Sequence, residues 1–268
     1  MPRQKRILSP THVYHVMVRG NSGRDIFLDN DDRQRLLKIF INKKKENQFI
    51  LYAYCLMDNH FHLVLKECED NISHIMKRIN TTYVLYFNKK YQTNGHLFQN
   101  RFKSEIVEND AYLLALIRYV HNNPLKTGLV SSHSDYLWSS YLSYVDSQNK
   151  IVKNDDILKM FSEDLLQARY QFIDFSQKKE EKFKFLEYKE YNREKKGINT
   201  YSKMKNFRDQ FLKRNKIQLD LLSERKNKEF RDKLIQELRD RSIFSDREIA
   251  EFLSIDRGMV HRVGRNES

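Results

Sequence analysis

Two histidines one residue apart mark the segment 57–65, which reads MDNHFHLVL. Side chains alternate between the two faces of an extended strand, so His60 and His62 project together while Phe61 projects the other way. Neutral imidazoles side by side are common ligands of divalent ions. The alternative is a half-buried edge strand whose histidines make local hydrogen bonds, and a two-residue motif alone does not separate these interpretations.

A second set of candidate residues lies on the helix predicted over 111–123, AYLLALIRYVHNN, which Pro124 is expected to terminate. Tyr119 and Asn123 are four residues apart and share one helix face. An amide oxygen added to two imidazoles suits Mg²⁺ or Mn²⁺ better than zinc. A tyrosine hydroxyl beside a cation-bound phosphodiester can attack phosphorus and form an ester that a free 3′-OH can reverse. The alternative for Tyr119 is a core aromatic residue.

The elements that must position these residues follow from hydrophobic periodicity and capping signals. The order is strand, helix, strand, strand, helix, strand, helix, and the economical arrangement is an α+β fold with an antiparallel sheet covered by helices. Both histidines start the second strand of a hairpin, directly after the turn Asp58–Asn59. The predicted strands are 12–18, 49–57, 60–66 and 103–107, and the predicted helices between them are 31–47 and 71–91.

Four segments together resemble the IS200/IS605-type single-tyrosine transposases, and most of all their branch associated with repetitive extragenic palindromes. The similarity covers roughly residues 7–145 in order and spacing, which is far more specific than the histidine pair alone. The segments are YHVMVRGN (14–21), YCLMDNHFHLVL (54–65), GHLFQNRFKS (95–104) and RYVHNNPLKTGLV (118–130), followed by WSSY (138–141).

The resemblance implies roles for individual residues. His60 and His62 match the metal pair of that family, Tyr119 its nucleophile and Asn123 its third ligand. It also implies a ferredoxin-like antiparallel sheet with helices on one side, and a divalent metal, Mg²⁺ or Mn²⁺. The expected activity is cleavage and rejoining of single-stranded DNA, often beside a hairpin, through a 5′-phosphotyrosine ester. Both a monomer and a homodimer stay open.

Composition agrees with a nucleic-acid partner. The 268 residues carry a formal net charge of +13, and a basic protein binds polyanions partly by releasing their counterions. A general lysine bias of the source proteome is the alternative. Two cysteines without a paired spacing, no signal-peptide pattern and no apolar run of membrane-spanning length lead us to expect a cytoplasmic protein without a membrane partner.

DNA-facing residues are predicted from basic side chains near these motifs. Arg19 ends the first strand, and Arg101 and Lys103 flank a run with Phe98 and Phe102 that could stack on bases. For each of these residues a solvated loop is the alternative.

The chain beyond residue 150 changes character. We expect a domain at 7–148, a charged helical extension at 150–242 and a helix-turn-helix at 243–266 that contacts duplex DNA. Ser245 and Asp246 are expected to cap its first helix and Asp256 its second. The candidate DNA-reading residues of this segment are Arg257, His261 and Arg262. The alternative is a packed helical hairpin without DNA contact.

Three functions compete at this stage. The first is an active transposase, or a relative of one, that processes chromosomal repeats. The second is a non-catalytic DNA-binding regulator, and the third is a hydrolytic metal-dependent nuclease without a covalent step. The presence of the full set His60, His62, Tyr119 and Asn123 favours the first.

Overall fold

The computed structural model describes residues 7–44, 49–146, 151–178, 183–187, 197–198, 200–242, 244 and 246–263. The strands are β1 (Val13–Arg19), β2 (Phe49–Met57), β3 (His60–Glu67) and β4 (Lys103–Ile106). The helices are α1 (Asn30–Lys44), α2 (Ile72–Tyr91), α3 (Asp110–Lys126), α4 (Tyr141–Val145), α5 (Asp155–Leu158), α6 (Leu165–Gln177), α7 (Tyr201–Asn215), α8 (Lys228–Arg241), α9 (Asp246–Leu253) and α10 (Arg257–Arg262).

The chain divides into two compact units. The first comprises Met1–Gly20 and Ile26–Glu187, and the second comprises Asn21–Asp25 and Tyr188–Ser268. The first unit continues past residue 148, the end of the predicted N-terminal domain, because Phe172 of α6 is buried in its core. In the described part of the chain, no helix is long and apolar enough to span a membrane.

The first unit is built on a four-stranded antiparallel sheet with the strand order β2-β3-β1-β4. The element sequence is strand-helix-strand-strand-helix-strand, and the last strand lies beside the first. This is the ferredoxin-like arrangement, so the predicted α+β fold is confirmed.

Helices cover both faces of this sheet. Phe61 of β3 contacts Phe40 of α1, with ring centroids 6.4 Å apart, and α2 packs on α1. The next residue, His62, points to the opposite face and contacts Tyr119 of α3. The predicted placement of helices on one side therefore describes α1 and α2, while α3 lies on the second face. Strands β1 and β3 are buried on both faces, so both faces need a cover.

Local signals set the helix limits. Asn71 and Asn109 cap α2 and α3, because their side chains accept hydrogen bonds from first-turn amides. The expectation that Pro124 terminates α3 is wrong, because the helix continues to Lys126. Proline removes only its own N–H donor, and so close to the C-terminus few helical bonds are affected. The Thr127 amide then caps the helix by donating to Asn123 O.

The second unit is helical in the residues described, with α7 to α10 around an apolar core. Met204 of α7, Leu234 and Leu238 of α8, Ile249 of α9 and Val260 of α10 are buried together in this core. The expected all-α C-terminal region is thus confirmed. Arg239 of α8 binds Asp246 through two hydrogen bonds of 2.9 and 2.7 Å and also donates to Val260 O at 2.7 Å, which ties α9 and α10 to α8.

Candidate active site

The histidine face of the sheet collects the site residues. His60 and His62 of β3 pair across the sheet with Arg19 and Met17 of β1, and directly paired residues share a face. By the same alternation His15 of β1 lies on this face, opposite Glu105 of β4. The predicted pair of imidazoles on one face is therefore present, with a third imidazole beside it.

His62 is held by one ring nitrogen and unpartnered at the other. Its Nδ1 lies 2.9 Å from Nε2 of His15, and the two rings are stacked with centroids 5.2 Å apart. Both side chains are at most 1% exposed. Nε2 of His62 is buried without a hydrogen-bond partner among the described residues. A buried polar atom left unpartnered is unfavourable in the free protein and suits a ligand.

His60 stands next to His62, with ring centroids 5.1 Å apart and the planes nearly perpendicular. Its Nδ1 lies 2.6 Å from Oδ1 of Asn59, the second residue of the hairpin turn. If Nδ1 donates in that contact, Nε2 carries the lone pair that a metal ligand needs. The hairpin thus orients one imidazole and β1 orients the other.

Tyr119 faces the histidines from α3. Its ring centroid lies 5.8 Å from that of His62 and 5.9 Å from that of His15, and the residue is 3% exposed. The phenol Oη donates to Oε1 of Glu187 at 3.1 Å, and Phe185 packs on the ring at 4.6 Å. The segment 183–187 therefore covers Tyr119.

Two further residues of α3 adjoin the phenol. Asn123 donates its Nδ2 to Tyr119 O at 2.9 Å, which leaves Oδ1 as the amide atom suited to a cation. Lys126 places Nζ 4.3 Å from the Tyr119 ring centroid. Nowhere in the described residues do three His, Cys, Asp or Glu side chains gather as a metal site. The role of Asn123 as a ligand stays a prediction.

Burial sets the protonation states of the site. Burial, and then the Arg19 guanidinium, lower the pKa of His60 to about 4. Burial, followed by the neighbouring His60, His15 and Lys126, holds the pKa of His62 well below its usual value. Both imidazoles are therefore neutral near pH 7, the form that binds metals. Burial, and then the Glu187 carboxylate, raise the pKa of the Tyr119 phenol, so it is protonated there and needs a proton acceptor before it can attack.

The predicted DNA-binding residues of the first unit fall into two places. Arg19 and Lys103 lie on the histidine face, since Lys103 pairs with Met17. Arg101 is exposed and borders a separate groove of about 750 Å³ between α2 and residues 95–102. Phe98 contacts Phe61, which points away from the histidines. The structure thus brings Arg19 and Lys103 to the site but not Arg101.

The predicted DNA-reading residues of the second unit lie on α10. Arg257, His261 and Arg262 are all exposed. Asp256 caps this helix as predicted, accepting from the Gly258 amide at 2.8 Å. The turn before it passes through Ser254 with φ of +53°, a left-handed conformation that favours glycine. Ser245 and residues 264–266 lie outside the described residues.

Four site residues escaped the sequence analysis. His15 and Glu105 reach the site through strand pairing, which local periodicity does not encode. Glu187 reaches it from far along the chain. Lys126 could have been found, because it lies seven residues after Tyr119 on the same helix face, but the helix was expected to end before it.

The segment that holds His60, His62, Tyr119 and Asn123 matches a known family. Residues 9–123 match the family model described as "Transposase IS200 like". A Haemophilus influenzae protein assigned as a REP-associated tyrosine transposase is 29% identical in an alignment that covers 35% of this chain and 59% of that protein. The chain thus spans less than two thirds of this curated relative.

Two solved structures are similar to part of this chain. The structure of a REP-associated tyrosine transposase bound to a REP hairpin has a TM-score of 0.47 at 21% identity, covering 57% of this chain and 91% of that one. A protein of Deinococcus radiodurans R1 assigned as a transposase has a TM-score of 0.32 at 16% identity, covering 45% and 97%.

Proposed function

We propose that this protein, whose residues 9–123 match the IS200-like transposase family model, cleaves and rejoins single-stranded DNA through a covalent ester on Tyr119. The observation that carries the proposal is the Tyr119 phenol set against the stacked imidazoles of His15 and His62, each of which has a buried ring nitrogen without a hydrogen-bond partner among the described residues. A core tyrosine would not need either feature.

The donor set fits a divalent metal, Mg²⁺ or Mn²⁺. Neutral His60 and His62 offer two nitrogens, and the Asn123 amide oxygen is the third candidate ligand. When bound, such an ion supplies Lewis-acid polarisation of the scissile phosphate. Mixed nitrogen and oxygen ligation with positions left for phosphate and water is the type of site these ions use.

The covalent step follows from the phenol and its partner. Tyr119 Oη attacks phosphorus, the phosphorus–O3′ bond breaks, and the products are a 5′-phosphotyrosine and a strand ending in a 3′-oxygen that takes up a proton. The phenol proton passes to Glu187, whose carboxylate already accepts it in a hydrogen bond of 3.1 Å. Attack by a 3′-OH on the ester reverses the step, and no ATP is required because the ester retains the bond energy.

The proposed substrate is single-stranded DNA beside a hairpin, and one of the similar solved structures is of a transposase bound to a REP hairpin. Arg19 and Lys103 on the histidine face, together with Lys126, are the cations we assign to the phosphates near the scissile bond. Phe185 must leave the Tyr119 ring for a nucleotide to approach the phenol. Arg101 would contact DNA at the separate groove along α2.

The second unit is proposed to add duplex affinity as a helix-turn-helix, with α10 as the helix that enters the major groove. The support is the exposed row Arg257, His261 and Arg262 on a helix whose apolar side is buried against its own unit. The hydrogen bonds from Arg239 to Asp246 and to Val260 O would keep α9 and α10 in a fixed geometry.

Labelled single-stranded oligonucleotides from the DNA flanking the gene, incubated with Mn²⁺ and run on a denaturing gel that retains protein, test the proposal. We expect a metal-dependent covalent band that Tyr119→Phe abolishes. Tyr170→Phe is the control, because Tyr170 lies on α6 of the same unit with its side chain exposed to solvent. Cleavage without a band, unaffected by Tyr119→Phe, would indicate a hydrolytic nuclease. Binding without cleavage would indicate a regulator.

A further inference from the structure

His15 has no role in the chemistry proposed above, yet it is completely buried next to the site. It lies within the segment YHVMVRGN, and its side chain is 0% exposed in the middle of β1. Burying an imidazole is unfavourable unless it is hydrogen-bonded, and the bond it makes is to His62. The imidazole therefore serves His62 rather than the general apolar core.

We infer that His15, backed by Glu105, is a positioning residue that fixes the tautomer and ring orientation of His62. The inference rests on the proposed function, in which His62 is a metal ligand. Two proton arrangements are compatible with a 2.9 Å contact between His15 Nε2 and His62 Nδ1. They differ in which ring donates, and so in what the far nitrogen of His62 can do.

Nδ1 of His15 and Nε2 of His62 are both buried without a hydrogen-bond partner among the described residues, but only Nδ1 of His15 has a carboxylate nearby, so one of the two arrangements agrees better with the surroundings. If His62 Nδ1–H donates, His62 Nε2 keeps a lone pair, and His15 carries its proton on Nδ1, which faces Glu105. If His15 Nε2–H donates instead, His62 bears a buried N–H at Nε2 where the described residues provide no acceptor, and His15 turns a lone pair toward a carboxylate. The first arrangement is the one that leaves His62 ready to bind a cation.

Glu105 is placed for this role by the sheet. It pairs with His15 in the register between β1 and β4, and its Oε2 lies 3.7 Å from His15 Nδ1, a distance for electrostatic attraction rather than a hydrogen bond. The Leu186 amide donates to the same Oε2 at 3.1 Å and so restrains the carboxylate. The Glu105 carboxylate lies next to His15, and His15 contacts His62, whose Nε2 has no hydrogen-bond partner among the described residues.

The consequence is a contribution to metal affinity. Groups that bind the second nitrogen of a metal-ligating histidine orient the ring and raise its basicity, and losing them weakens metal binding by about 10- to 100-fold. We expect His15→Leu to weaken Mn²⁺ binding within that range. His15→Gln should restore most of it, because the amide oxygen can accept from His62 Nδ1. Glu105→Gln should cause the smaller loss, about tenfold or less.

The experiment measures the Mn²⁺ affinity of the full chain without DNA by electron paramagnetic resonance, together with the unfolding midpoint of each metal-free variant. His121→Leu is the matched control, since His121 is equally buried, at 1% exposed, but bonds Ser140. Proton–nitrogen NMR of the metal-free chain adds a direct readout. His62 should carry its proton on Nδ1 in the unsubstituted and His15→Gln chains, and shift toward Nε2 in His15→Leu.

The outcomes distinguish a failure of the role of His15 from a failure of the proposed metal site. If the unsubstituted chain binds no Mn²⁺, the proposed metal site fails and the role of His15 fails with it. If that chain binds Mn²⁺ and folded His15→Leu binds it equally well, the metal site stands and the role of His15 is overturned. If His15→Leu does not fold, the Mn²⁺ affinity of Glu105→Gln is compared with that of the unsubstituted chain instead. The Glu105 side chain is one-third exposed at the sheet edge, so this substitution is better tolerated by the fold.

Discussion

The histidine site and the α9–α10 pair are assembled in opposite ways. The site draws on β1, β3, β4, α3 and the segment 183–187, and its His15, His62 and Tyr119 side chains are buried. The α9–α10 pair comes from one continuous stretch of chain and presents its basic side chains to solvent.

The difference decides which physical effects dominate in each region. Desolvation governs the histidine site, because burial is the largest cause of the pKa shifts there. At the exposed α10 residues, long-range charge, which salt screens, governs any binding of nucleic acid. Replacing a proton acceptor at the histidine site should therefore change the reaction rate strongly. Removing one charge from α10 should change the DNA affinity only weakly.

The largest effect that sharpens this contrast is expected from Glu187→Gln. The amide keeps the shape of the carboxylate but cannot accept the Tyr119 proton, so the rate of adduct formation should fall by about 10²- to 10⁴-fold. Single-turnover kinetics on labelled DNA measures it, with Glu163→Gln on the exposed surface of the same unit as control. A rate that is unchanged or higher would show that segment 183–187 only covers Tyr119.

Acid should next destabilise the metal-free first unit. Burial lowers the pKa of His15 and His62, and burial followed by His133 lowers that of His121 to about 3. The unfolded chain takes up protons near pH 6.5 while the folded unit does not, so stability is present above that pH and falls below it. The slope is about 1.4 kcal/mol per pH unit for each such histidine.

Urea unfolding at pH 7, 6 and 5 measures this loss, followed by the fluorescence of Trp138, the one tryptophan of the chain. His121→Leu should reduce the pH slope by about one proton. Hydrogen exchange in α8 reports on the second unit, where the described histidine is exposed His261. Equal pH slopes in the two units would contradict the contrast between them.

A smaller effect is expected from Arg262→Ala on duplex binding. Removing one phosphate contact should lower the slope of log affinity against log salt by about one, with a loss of affinity that is similar for different sequences. Fluorescence anisotropy over a salt series measures it. Arg214→Ala makes the same charge change on exposed α7 and should leave the slope in place. If the slope of log affinity against log salt is the same for Arg262→Ala and Arg214→Ala, the proposal that α10 contacts the DNA is contradicted.

The smallest expected effect is a gain from Ser254→Gly. The turn between α9 and α10 holds Ser254 at φ of +53°, which is strained for a residue with Cβ, so glycine should stabilise the second unit by about 0.5–1 kcal/mol. Ser223→Gly, at an exposed 3₁₀ position of the same unit, should instead destabilise it. Chemical denaturation of both variants decides whether the turn conformation is costly.

Local features of the fold and site were predictable from the sequence, and long-range ones were not. The hairpin with His60 and His62 beside its turn, and the shared helix face of Tyr119 and Asn123, follow from periods of two and four residues. The contact of His15 with His62 depends on strand register. The hydrogen bond between Tyr119 and Glu187 joins residues that are 68 positions apart, and no local sequence pattern predicts a contact between such distant residues.

The central claim is that Tyr119 forms the ester with DNA, and peptide mapping of the adduct tests it most directly. Tryptic cleavage after Arg118 and Lys126 isolates residues 119–126, in which Tyr119 is the single tyrosine. After nuclease digestion, mass spectrometry should find the residual 5′-nucleotide on this peptide, dependent on Mn²⁺. A nucleotide found on a different tyrosine, or cleaved DNA with no modified peptide, would contradict the account.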